Sequence, residues 1–165
     1  MRKFLLKFLL TLSVFISLSN YSNSQIVISQ VYGGGGNSGA TYTHDFIELF
    51  NRGTSAVSIA GWSIQYTSSA GTTWQKTDLS GTLLPGQYYL IQQAQGAGGT
   101  TALPTPDVTG TIAMSGTNGK VVLLNVNTLI TAGTSCPSGG IVEDIVGFGS
   151  ANCFEGTGAT PVLSN

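Results

Sequence analysis

Beyond residue 25, apolar residues recur mostly at every second position, a period that predicts β-strands and not helices. The first such run is residues 26–32 (IVISQVY), followed by a glycine-rich connection at 33–40. In residues 45–51 (DFIELFN), Ile47 and Leu49 fall on one face, with Phe46, Glu48 and Phe50 on the other. The clearest alternation lies in residues 57–66. Trp62, Ile64 and Tyr66 share a face opposite Ser63 and Gln65, which predicts a half-buried strand with a polar outer side. A short strand is expected at 72–76 around Trp74. Leu84-Pro85-Gly86-Gln87 has the proline and glycine of a type II turn, and residues 88–92 then run as a strand. Residues 96–107 are rich in Gly, Thr and Pro and predict a long loop. A strand at 108–114 is followed by Asn118-Gly119, a hairpin dipeptide. Residues 120–126 (KVVLLNV) are apolar on both faces, which predicts a central strand. The last clear strand is 141–148, beyond a loop at 131–140.

Eight or so short strands separated by close turns predict a sandwich or a barrel. Its expected core includes Ile47, Leu49, Trp62, Ile64, Leu90, Val122, Leu124 and Val146. Replacing Trp62 with Ala is expected to cost about 3–5 kcal/mol if that side chain is fully enclosed. Residues 25–165 show neither an internal repeat nor a linker and are expected to form one domain.

The first 24 residues have a different pattern. Arg2, Lys3 and Lys7 precede a mostly apolar stretch at 8–18, and Ser22-Asn23-Ser24 supplies small residues at a cleavage position. This predicts a secretory signal peptide (residues 1–24) cut before Gln25. The rival reading, a membrane anchor, needs about 20 apolar residues, more than this stretch offers.

Removing the leader leaves three cations, Arg52, Lys76 and Lys120, against seven acids, a net charge of −4. Three scattered cations cannot form the patch that binds nucleic acid phosphates or anionic lipid. Charged residues are 8% of the chain, against roughly a quarter in ordinary domains. The expected surface is therefore polar but nearly neutral.

Two cysteines, Cys136 and Cys153, are expected to pair once the chain is exported. A metal site would need further His or Cys ligands, and the chain has one His.

Several segments in order resemble the lamin tail domain. They are FIELFN at 46–51, IAGWSIQY at 59–66, GTLLPGQYYLI at 81–91, GTIAMSGTNGKVVLLN at 110–125 and IVEDIVGFG at 141–149. The opening IVISQVYGGGGNSG at 26–39 and ANCFEG at 151–156 resemble its secreted bacterial versions. The resemblance implies an all-β, immunoglobulin-like β-sandwich with no catalytic centre and no cofactor. It also implies a role in protein interaction, or in attachment to the cell surface or extracellular material. Nuclear lamins use the domain for protein and chromatin contacts. Bacterial proteins carry it beside nucleases, phosphoesterases and sorting sequences, so a continuation past Asn165 into such a module is part of the same expectation. No coiled-coil rod precedes the domain here, so a filament role is not implied.

Thr43-His44-Asp45 with Glu48 nearby has a base and carboxylates, but alternation puts Asp45 and Glu48 on opposite faces. The run of glycines at 33–36 lacks the Lys-Ser/Thr ending of a phosphate loop and reads as a flexible connection. No Gly-x-Ser-x-Gly elbow occurs. The expectation is therefore a non-enzyme without catalytic or metal residues, the alternative being an accessory domain of a longer secreted hydrolase. A carbohydrate- or calcium-binding module is the remaining reading. Trp74, in a polar stretch, is the exposed aromatic that would contact a glycan. The acids Asp107, Glu143, Asp144 and Glu155 would supply oxygen ligands to calcium, although Glu143 and Asp144 are expected on opposite faces.

Overall fold

The computed structural model describes residues 24–163, and the leader expectation lies almost wholly outside them. Ten strands form among these residues: β1 Ile26–Tyr32, β2 His44–Asn51, β3 Val57–Ser58, β4 Ser63–Thr67, β5 Gln75–Asp78, β6 Thr82–Leu83, β7 Tyr88–Gln95, β8 Val108–Thr109, β9 Gly119–Leu124 and β10 Val142–Phe148. They build one sheet in the order β1-β2-β7-β8 and a second in the order β10-β9-β4-β5, with β3 and β6 as a separate pair. The two larger sheets enclose a shared core, so the fold is an all-β, immunoglobulin-like sandwich.

Alternation fixes which side chains meet between the sheets. Ile26, Ile28, Ile47, Leu49, Tyr89 and Ile91 from the first sheet join Ile64, Tyr66, Val121, Leu123 and Phe148 from the second. Enclosing each large apolar side chain stabilises the fold by roughly 1.5–3 kcal/mol. β9 lies between β10 and β4, and all six of its residues are buried.

Three core expectations, Leu90, Trp62 and Val146, need correction, while Val122 and Leu124 are buried as expected. Leu90 lies opposite Glu48 on the outer face, because its neighbours Tyr89 and Ile91 take the inward positions. The run YYLI is apolar at every position, so its phase cannot be read from hydrophobicity. Val122 and Leu124 are buried, but in a second cluster with Trp74. They alternate with Val121 and Leu123 and so occupy the opposite face of the sheet. Trp62 and Val146 are only partly buried against the main core. The cost of Trp62→Ala accordingly falls below the enclosed-tryptophan range, to about 2 kcal/mol; thermal or urea unfolding of the variant measures it.

The outer side of β4 also departs from its pattern. Ser63 and Gln65 are fully buried, because the loop after β9 folds over them. Ser63 Oγ donates to the Val126 carbonyl at 2.7 Å and Gln65 Nε2 to the Thr128 carbonyl at 2.8 Å. Ile130 N donates back to Gln65 Oε1 at 2.9 Å. Polar residues there bind a loop backbone where water was expected, as buried polar groups must.

Asn118-Gly119 makes no hairpin. β9 pairs with β4 and β10, and neither residue has positive φ. Gly119 is needed for space: a Cβ there would sit 2.6 Å from the Tyr66 ring and 2.9 Å from that of Phe148. The glycine-rich loop is similarly packed and not a loose connection. A Cβ on Gly35 would meet the His44 backbone at 2.1 Å, and one on Gly36 the Gly96 backbone at 2.3 Å.

Candidate functional site

The packed glycine loop determines what Asp45 does. Its side chain is buried and accepts from Gly35 N and Met114 N, each at 2.6 Å. Burial raises its pKa above the ordinary carboxylate value, against the opposing pull of those backbone donors. Both carboxylate oxygens are committed to clamping the 33–36 loop and the 112–114 segment onto β2. His44 contacts Thr43 Oγ1 through Nδ1 at 2.9 Å, while Glu48 lies on the outer face and accepts from Ser29 Oγ at 2.7 Å. The three residues do not converge on a common point. Asp45→Ala should lower stability by about 2 kcal/mol, since two buried N–H groups lose their acceptor. Faster amide exchange at Gly35 and Met114 would identify the clamp as the cause.

The densest polar arrangement is one that sequence reasoning missed. Lys120 is 0% exposed. Its Nζ donates to the Gly71 carbonyl at 3.0 Å, the Ser135 carbonyl at 2.7 Å and Asn152 Oδ1 at 2.9 Å. These three acceptors match the three protons of an ammonium. The Nζ also sits 5.5 Å from the centre of the Trp74 ring, within reach of a cation–π contact. Burial alone pushes the Lys120 pKa down from its ordinary value.

Trp74 corrects a second expectation. It is 4% exposed, and its indole N–H donates to the Thr134 carbonyl at 2.8 Å. It cannot offer a ring to a glycan. Among the described residues the exposed aromatics are Tyr88, packed beside Phe50 at 4.6 Å between ring centres, and Phe154. Cys136 and Cys153 form a disulfide with Cα atoms 5.3 Å apart. It fastens the loop over β4 to the segment after β10, beside Asn152. Lys120, Trp74 and the disulfide thus hold three irregular segments against one sheet face. At the edge of that loop, Leu124, Val126, Leu129, Ile130, Pro137 and Ile141 line an uncharged cavity of about 350 Å³.

Of the four dispersed acids, three come together. β10 carries a register shift between Val142 and Asp144, so Glu143 and Asp144 both border one cavity instead of facing apart. Glu155 completes that cavity of about 350 Å³ with Ser24, Gly139 and Gly140. Asp107 lies elsewhere and accepts from Leu90 N at 2.7 Å. Asp144 is occupied structurally: it accepts from Ile28 N on the opposing sheet and from Ile145 N, each at 2.7 Å. Among the described residues no group of three or more His, Cys, Asp or Glu is arranged to hold a metal ion.

The model of the Lamin Tail Domain family matches residues 19–136, more than half of the chain. This chain belongs to the lamin tail domain family. No curated protein matches it. The family is a non-enzymatic immunoglobulin-like module, in keeping with a sandwich whose buried polar groups are engaged in holding loops. The lamin tail match includes Trp74, Lys120 and Cys136 but stops before β10, Cys153 and the Asp144–Glu155 cavity. The disulfide across that limit is compatible with an extracellular location.

Proposed function

We propose that this lamin tail protein is an exported, non-catalytic module that attaches to a protein or cell-surface partner outside the cytoplasm. The family match carries the reading, because its fold supplies a binding scaffold and not a reaction centre. The charged leader start followed by an apolar stretch supports export, as does a disulfide, which persists outside the reducing cytoplasm. The commitment of Asp45 to backbone donors supports the absence of hydrolytic chemistry at the single histidine. With only three cations after the leader, nucleic acid is not the partner.

The test combines two assays on the exported protein. It is mixed with the cell envelope fraction of its producer and sedimented, and in parallel offered DNA and a chromogenic phosphodiester. Saturable retention on the envelope with no turnover is the expected result. Hydrolysis that disappears in His44→Ala would overturn the reading in favour of an enzyme. Absence of retention together with such hydrolysis would leave no role for attachment.

A further inference from the structure

Each cysteine directly follows a residue that Lys120 holds. Ser135, whose carbonyl accepts from Lys120 Nζ at 2.7 Å, precedes Cys136. Asn152, whose Oδ1 accepts from the same nitrogen at 2.9 Å, precedes Cys153. One ammonium thus bridges the two segments that the disulfide also joins. Further bonds fix each segment without sulfur. Gly133 N donates to the Thr72 carbonyl at 3.1 Å, and the Thr134 carbonyl accepts from the Trp74 indole at 2.8 Å. On the other side, Ala151 N donates to the Phe148 carbonyl at 3.3 Å and Asn152 N to the Ser69 carbonyl at 3.1 Å. The two cysteines differ in access: Cys136 is exposed, whereas Cys153 is 3% exposed.

We propose that Lys120 is the positioning residue for the Cys136–Cys153 bond. Its ammonium brings the two thiols together in the reduced chain, and the bond then closes by exchange with an external disulfide that enters at Cys136. Lys120 belongs to β9, which is flanked by β10 and β4, so the sheet and not the loops sets its place. A buried ammonium is costly unless its protons find acceptors. That demand is the same whether the sulfurs are reduced or oxidised, and Ser135 and Asn152 supply two of the three acceptors. Closure then follows ordinary exchange chemistry. The Cys136 thiolate attacks one sulfur of the external disulfide, whose S–S bond breaks and whose other half leaves as a thiol. Cys153, as thiolate, attacks Cys136 Sγ and expels the second half. The protein gains one S–S bond, both cysteine protons end on the released thiols, and the electrons lost by the cysteines reduce the external disulfide.

The test uses glutathione and glutathione disulfide as the probe. In the reduced natural chain, the amide resonances of residues 133–135 and 152 should keep their folded dispersion. Equilibration with the probe should give the thiol pair an effective concentration roughly a hundredfold or more above the millimolar value of a flexible linker. Asn152→Ala, at an exposed position, removes one acceptor of three. It should lower the effective concentration by at least about tenfold, the equivalent of one hydrogen bond to a charge, and Lys120→Met should lower it further. A side chain that stabilised both redox states equally would leave this ratio unchanged. Glutathione trapped by acid quenching should be found on Cys136. Loss of dispersion at residues 133–135 and 152 on reduction would overturn the proposal, because the disulfide would then be holding the loops. An effective concentration unchanged in Asn152→Ala, or glutathione trapped chiefly on Cys153, would overturn it as well. The natural chain and Asn152→Ala decide the matter even where Lys120→Met fails to fold.

Discussion

Lys120→Ala should destabilise the fold by about 3–5 kcal/mol, the range for leaving buried polar partners of a charge uncompensated. The substitution removes the only side chain that satisfies the Gly71 and Ser135 carbonyls and Asn152 Oδ1 together. It also leaves a void under the Trp74 ring. Lys120→Met tests which part dominates. Methionine fills much of the volume but donates nothing, so a loss close to that of alanine assigns the effect to the hydrogen bonds. Urea unfolding of both variants measures this, and a loss under about 1 kcal/mol for alanine would show the cradle to be dispensable.

Trp74→Ala is the second large effect. An enclosed tryptophan deleted to alanine costs about 3–5 kcal/mol, and here the Thr134 carbonyl also loses its donor. Because Trp74 and Lys120 touch, their losses should not add. A double-mutant cycle is expected to show coupling of about 1 kcal/mol or more, as for residues sharing one network. Strict additivity would place the two in separate units. A destabilised Trp74→Ala variant also separates the structural role from the glycan-contact role expected for an exposed ring.

The sign of the pH dependence of stability follows from Asp144. Its folded pKa, about 6, lies above the ordinary value of 3.8, so the folded state holds this proton more tightly than the unfolded chain does. The stabilisation is full below the unfolded value and is lost as pH rises through about 6. The melting temperature should therefore rise between pH 7 and pH 5, opposite to the trend for salt-bridged carboxylates. A fall over that interval would mean that Asp144 is ionised and stabilised in the folded chain.

Much of the sandwich was legible because strands with one face in the core alternate. β2 and β9 could be placed from Ile47, Leu49 and the run at 120–126. The ordered lamin tail segments supplied the architecture that alternation alone left between sandwich and barrel. Three features broke the rule. Ser63 and Gln65 look solvent-facing because they are polar, yet a loop distant in sequence uses them as backbone anchors. Lys120 looks exposed for the same reason, and nothing local reveals that carbonyls from residues 71 and 135 will meet it. The bulge at Val142/Asp144 shifts the phase of β10, which is why Glu143 and Asp144 share a cavity that strict alternation denies them. Each failure arises where long-range loop packing or an inserted residue overrides local pattern.

The measurement that tests the central claim most directly is the intact mass of the protein recovered from outside its producing cells, before and after reduction. The account predicts an amino terminus at Gln25 and a gain of two hydrogens on reduction, as the Cys136–Cys153 bridge opens. A mass that retains residues 1–24, or one unchanged by reductant, would contradict an exported and disulfide-fastened module.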